Sequence, residues 1–409
     1  MKFVVRIFRL VVPVLLTGMM LLGVVSCSKD DPSEENVNDR SVLVYISGQN
    51  TLKPNIDNDI VEMLEGVANM GEHDRLVVFI DDYNKSRIYE INQNTTATTQ
   101  YDLTPVCQFT DNLNSASPEV FDQVLRYFFN HYRAKDYGLV LWSHGSGWID
   151  ASSSVSQRRS FAVDNSSSGT TRMLIPDMAS VFSRYPKFEY ILFDACFMQT
   201  VEVVYELRAA AKYIIGSPAE LPGRGAPYKQ LMPALFLHDS EHKIAEAIVN
   251  AYGSYYNNVL SSSGGVVLSA IRTDDKLDMF VSVMAEMFDK YNFLDDTNYT
   301  DCLNYYFYEW NSYGFNAFVA PDSYDIQGIM KKVLTDSDDY TRWENAFYIL
   351  SPFASIGVNW YSAYTSALMP VNKSQCGAVS MYLPLDRYKN DAYFDYYKET
   401  QWGKLFDIK

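Results

Sequence analysis

Leu139-Val140-Leu141-Trp142-Ser143-His144-Gly145 and Ile191-Leu192-Phe193-Asp194-Ala195-Cys196 are two apolar runs that each stop at a residue capable of chemistry. Neither run alternates apolar with polar residues, as a strand with one wet face would. A continuous apolar run bounded by small or polar residues marks a strand covered on both faces. The same signature occurs at 42–46, 76–80 and 213–215. Helical patterns lie between these runs. Ile56, Ile60, Leu64 and Val67 share one face before Gly71, and Ser117-Pro118-Glu119 opens a helix continued by Phe121, Leu125, Phe128 and Tyr132. Met178, Val181, Phe182 and Tyr185 mark a short helix, and 198–211 reads as a longer one. Residues 86–104 read as a hairpin, and the Ser-rich stretch 150–171 as a loop. Strands alternating with helices predict an α/β fold with a mostly parallel central sheet covered by helices on both faces.

In such sheets ligands sit beyond the carboxyl ends of the strands. His144 and Cys196 emerge there, from what should be neighbouring strands. A thiolate is a strong nucleophile, and an imidazole beside it can take its proton and later protonate a leaving amine. A helix starting near Met198 would place its positive end beside the Cys196 sulfur. Gly145 leaves room for a carbonyl, and its N–H, with that of Cys196, can face a developing oxyanion. These positions suit acyl transfer without a metal. The other histidines, His73, His131, His238 and His242, sit in polar or helical contexts and read as structural. An esterase of the α/β-hydrolase type would need a Gly-x-Ser-x-Gly turn, which the sequence lacks.

The front end reads as an address. Lys2, Arg6 and Arg9 precede an apolar stretch that ends in Val24-Val25-Ser26-Cys27. A small residue before cysteine resembles the bacterial lipoprotein cleavage box, which makes 1–26 a signal peptide, Cys27 the lipidated residue and 27–40 a flexible tether. The alternative is an ordinary signal peptide with a chance cysteine. Ser28-Lys29-Asp30-Asp31 resembles the surface-export signal of Bacteroidetes lipoproteins, so the expected location is the outer membrane, facing outward. Thirty-four basic against fifty acidic residues give a net charge of −16, which repels phosphate backbones and argues against nucleic-acid binding. Disulfides among Cys107, Cys302 and Cys376 suit an exported chain, and no cysteine pair has zinc-site spacing.

The two motifs, together with Phe197-Met198-Gln199-Thr200-Val201-Glu202, the loop from Ser217 to Tyr228, and Cys376-Gly377-Ala378-Val379-Ser380-Met381-Tyr382-Leu383-Pro384 with Trp402, resemble the clostripain family of cysteine peptidases over most of residues 40–409. The resemblance implies a caspase-like α/β sandwich, here a catalytic core over 41–239 with a C-terminal α/β elaboration over 240–409. It implies an endopeptidase with His144 as general acid/base, Cys196 as nucleophile and peptide or protein substrates. It also implies a preference for Arg or Lys at the cleaved position, held by acidic groups. Asp194 and Glu220 are the nearby candidates, with Asp194 either lining the pocket or holding local structure. Arg224 either opposes a basic side chain or points to solvent. Some family members cut themselves between the His and Cys strands, which singles out Arg158 and Arg159; the alternative is a solvated loop that is never cut. No cofactor is expected. Calcium is implied only by the family, since Asp336, Asp338 and Asp339 lack an EF-hand pattern. The rival reading is a catalytically silent surface-binding lipoprotein on the same scaffold.

Overall fold

A nine-stranded sheet organises the chain, with its strands in the order Phe353–Ile356, β10 (Val267–Arg272), β9 (Ala211–Gly216), β8 (Phe188–Asp194), β5 (Ala134–Trp142), β1 (Asn38–Ser47), β2 (Arg75–Asp81), β3 (Arg87–Ile91) and β4 (Cys107–Gln108). In this computed structural model, residues 37–148, 160–166, 169–260, 264–293, 299, 301–305, 309–310, 316–317, 323–363, 366–385 and 392–406 are described. Cys27, Arg158 and Arg159 lie outside them. The central strands β2, β1, β5, β8 and β9 run parallel, while β3, β4, β10 and Phe353–Ile356 add antiparallel edges.

Side-chain alternation along β1 divides the core into two layers. Leu43 and Tyr45 face one layer with α2 (Pro118–His131), α3 (Ile175–Phe182), α4 (Val201–Glu206) and α7 (Asp275–Lys290). Val42, Val44 and Ile46 face the other, with α1 (Ile56–Glu65), α5 (Tyr228–Leu235) and α6 (Glu241–Ser254). Both faces of every central strand are therefore dry, which is why their sequences are continuously apolar.

The structure departs from the sequence reading in five places. First, β1 begins at Asn38, inside the expected tether, because Arg40 is buried and bonds Asp136 and the carbonyls of Leu235 and Leu237. Second, residues 86–104 are not a self-contained hairpin: β3 pairs with β2 and β4, and a 3₁₀ turn follows at Gln100–Asp102. Third, the stretch read as a loop forms a hairpin from Ser160 onward, β6 (Ser160–Ser166) with β7 (Gly169–Leu174), because Phe161, Ala162 and Met173 are buried. Fourth, α4 starts at Val201, capped by the Thr200 side chain, so Cys196 does not stand at a helix N-terminus. Phe197 has φ 62, and the Phe197 and Gln199 N–H groups donate to the carbonyls of Ala219 and Ser217, tying this turn to the end of β9 rather than to a helix. Fifth, Cys302 and Cys376 are free, buried thiols, so the disulfide that Cys107 forms is with neither of them.

Residues beyond 240 extend the core sheet through β10. They also brace the turn after β8: the Ser380 N–H donates to the Gln199 carbonyl, and the Tyr382 N–H to the Glu202 side chain.

Candidate active site

Strands β5 and β8 are adjacent and in register, with Trp142 opposite Asp194. Two residues further along each, His144 and Cys196 line one cavity of about 260 Å³. Ser143, Gly145, Ala195, Phe197, Leu52, Ala363 and the loop residues Glu220 to Gly223 complete much of its wall.

Gly145 permits this close approach. A Cβ at that position would stand 2.5 Å from the Cys196 carbonyl oxygen and 3.1 Å from the Ala195 Cβ, so only a glycine lets the two strand ends meet. Neither the Gly145 nor the Cys196 N–H donates a backbone hydrogen bond among the described residues.

The Leu221 N–H donates to the Cys196 sulfur at 3.3 Å. Cys196 is half-buried, but its sulfur lies deep, and desolvation pushes the thiol up to about 12. The Leu221 bond opposes this, while the charges of Glu220 and Asp194 add to it. Burial, with a smaller contribution from the Arg172 charge, lowers the His144 imidazole below its ordinary value. Both shifts favour the uncharged form, thiol on Cys196 and imidazole on His144. The Thr51 hydroxyl, on the loop after β1, lies 2.8 Å from His144 Nε2. Thr51 carries no sequence signal, since its role depends on β1 ending beside β5.

The candidate pocket acids are both here. Asp194 is buried, its Oδ2 accepting from the Ala226 N–H (2.9 Å) and the Tyr228 hydroxyl (3.1 Å), and its Oδ1 from the Tyr252 hydroxyl (3.1 Å). Burial raises it to about 6 against these three donors. Glu220 accepts from the Ala363 N–H at 2.8 Å, linking the loop to the segment after the strand Asn359–Ser362. Arg224 does not line the cavity. It is exposed and reaches Glu62 of α1 at 3.9 Å, and Lys229 likewise reaches Glu65 at 3.0 Å.

Three of the remaining histidines take structural partners, His131 on the Tyr127 carbonyl, His238 on Asp74 and His242 on the Tyr213 hydroxyl. Asp336 caps the helix Ser337–Leu350 by accepting from the Asp338 and Asp339 N–H groups.

The profile described as "Clostripain family" matches residues 44–407. Clostripain of Hathewaya histolytica is 23% identical over 236 residues, covering 49% of this chain and 43% of that protein, so less than half of that relative's length is matched. A secreted cysteine protease of Bacteroides thetaiotaomicron, solved with an irreversible peptide inhibitor, has TM-score 0.74 at 29% identity, covering 90% of this chain and 98% of that one. An inactive zymogen protease of Parabacteroides distasonis has TM-score 0.73 at 25% identity, with the same 90% and 98% coverage. The sheet described above is the mixed α/β, caspase-like arrangement of these proteases.

Proposed function

This chain belongs to the clostripain family of cysteine peptidases, and we propose that it cleaves internal peptide bonds with His144 and Cys196. The observation that carries this reading is their convergence, from adjacent parallel strands, on one cavity beside two backbone N–H groups that donate no backbone hydrogen bond among the described residues. The relative solved with a peptide inhibitor supports it.

In this reading a peptide enters the cavity with its scissile carbonyl between the sulfur and the Gly145 N–H. Thr51 holds His144 Nε2, leaving Nδ1 for proton transfer. The Cys196 proton passes to Nδ1 as the sulfur attacks the carbonyl carbon, and the resulting oxyanion lies against the Gly145 and Cys196 N–H groups. The imidazolium then protonates the departing amine, leaving a thioester. Water, deprotonated by His144, attacks the thioester, releases the acid and restores the thiol. Because burial favours the uncharged form of both groups, charge separation develops as the sulfur attacks the substrate.

A basic residue at the cleaved position fits the buried Asp194 carboxylate, whose three donors are all neutral, and the outward turn of Arg224 and Lys229. Self-processing at Arg158 or Arg159 fits the anchoring of the next residue. The Ser146 N–H donates to the Ser160 carbonyl, so the chain re-emerges two residues from His144. Lipidation at Cys27 would tether the enzyme to the outer membrane; no helix among the described residues is long and apolar enough to cross one.

Three measurements test these points. Purified protein and Cys196→Ala are compared on a peptide mixture, and cleavage that survives the substitution would sink the dyad. Cutting after Arg158 or Arg159 in both proteins, or in neither, would sink self-processing. Metabolic labelling with a fatty-acid analogue should mark the wild type and not Cys27→Ala.

A further inference from the structure

We propose that Asp59 is a second carboxylate of the specificity pocket, acting with Asp194 to hold the cationic side chain of the residue at the cleaved bond. The proposal rests on the peptidase reading and adds a residue to it.

Asp59 lies on α1 in the apolar stripe formed by Ile56, Ile60 and Met63, and it is only 1% exposed. Its Oδ2 accepts from the indole N–H of Trp142 at 2.8 Å. No other donor among the described residues bonds this carboxyl. Trp142 and Gly225 both line the cavity, and Asp59 stands directly behind them rather than on its wall. A Cβ on Gly225 would lie 3.1 Å from Asp194 Oδ2, 3.4 Å from Asp59 Oδ2 and 3.3 Å from the Trp142 indole nitrogen. The two carboxylates therefore press on the same backbone, and any side chain at residue 225 would fill the space beside them. Gly225 has φ +77, so the turn itself also calls for glycine.

Two acids buried together are costly without a cation or a shared proton. The cations nearest in sequence point away, Arg224 to Glu62 and Lys229 to Glu65. Burial first, then the Asp194 charge, pushes Asp59 up to about 9 against the Trp142 bond and a smaller contribution from the Arg224 charge, which favours a proton on this carboxyl. A guanidinium or ammonium entering past Trp142 supplies the missing positive charge and displaces that proton. A buried acid that only braced α1 would stabilise the fold less than an apolar residue of similar size, whereas an acid packed beside Asp194 fits a ligand that carries the countercharge.

The test compares kcat/KM for matched peptides with Arg, Lys or Gln at the cleaved position, on the wild type and Asp59→Asn. Asparagine keeps an acceptor for Trp142 and removes only the charge. The Arg-to-Gln and Lys-to-Gln ratios should each fall about ten- to a hundredfold, as expected for losing one charge-assisted contact. A wild-type rate of Cys196 alkylation by iodoacetamide, with the buried Cys302 and Cys376 still protected, checks that the variant is folded. Unchanged ratios, or equal losses on all three peptides, would overturn the assignment. A wild type without basic preference would overturn it too, whereas cleavage that persists in Cys196→Ala would strike at the peptidase reading instead.

Discussion

Gly145→Ala is the most direct test of the proposed oxyanion geometry. The added methyl would stand 2.5 Å from the Cys196 carbonyl oxygen, 3.0 Å from Met198 Sδ and 3.1 Å from the Ala195 Cβ. Met198 can swing away, but the carbonyl belongs to the backbone of Cys196 itself. Relief to ordinary contact requires the ends of β5 and β8 to part by somewhat under 1 Å. A misplacement of about 1 Å at reacting atoms costs roughly 100-fold in rate, and loss of one oxyanion donor costs about 100- to 1,000-fold. Overpacking at such a contact destabilises by about 1–3 kcal/mol. G145A should therefore lose about 100-fold or more in kcat, with a much smaller change in KM and a folded thermal transition. Gly223 offers the contrast, because its added methyl would meet only the Asn55 side chain at 4.0 Å; G223A should lose far less. The assay is steady-state hydrolysis of a peptide substrate alongside thermal melting. Near-wild-type kcat in a folded G145A protein would refute both the contact and the oxyanion assignment built on it.

Thr51→Val removes the hydroxyl from His144 Nε2 and should lower kcat by about tenfold, the scale of a positioned hydrogen bond, with T51S restoring most of it; equal loss in both variants would mark a packing role. Because desolvation pushes the Cys196 thiol up to about 12, iodoacetamide inactivation of the substrate-free enzyme should keep accelerating through pH 9, close to tenfold per unit; a plateau near neutrality would show a preformed thiolate–imidazolium pair. Asp59 (about 9) and Asp194 (about 6) both sit above ordinary carboxyl values, so the folded chain retains protons that the unfolded chain releases. Their contribution is intact below about pH 4 and is lost as pH rises through these two values. The melting temperature of D59N relative to wild type should accordingly rise between pH 5 and pH 9, and a flat or falling difference would contradict the buried-proton account.

The parallel sheet was legible because its strands are dry on both faces. Leu139 to Trp142 and Ile191 to Phe193 have no reason to alternate, and their unbroken apolarity is the direct imprint of two-sided burial. The meeting of His144 and Cys196 at one cavity was legible for the same reason, since both stand just past the ends of adjacent parallel strands, where an α/β sheet binds ligands. The helix expected from Met198 was misplaced because local apolar spacing cannot register the bonds from Phe197 and Gln199 to the end of β9, which hold that turn open. The hairpin from Ser160 was missed because its polar residues hide Phe161 and Ala162, which are buried only through distant neighbours. Asp59 did leave a trace, an acid on the apolar face of Ile56, Ile60 and Met63, but a helix with Asp57 beside it reads first as a solvated one.

By itself the sequence determined which segments must be dry and which residues end them, because burial and periodicity act on neighbours along the chain. Tertiary structure alone decided that Thr51 meets His144, that the Leu221 amide holds the Cys196 sulfur, and that Asp59 and Asp194 share one glycine wall. Those residues come from α1, from the end of β8 and from the loops after β1, β5, β8 and β9, and nothing in their local sequence encodes the distance that only the packed sheet imposes.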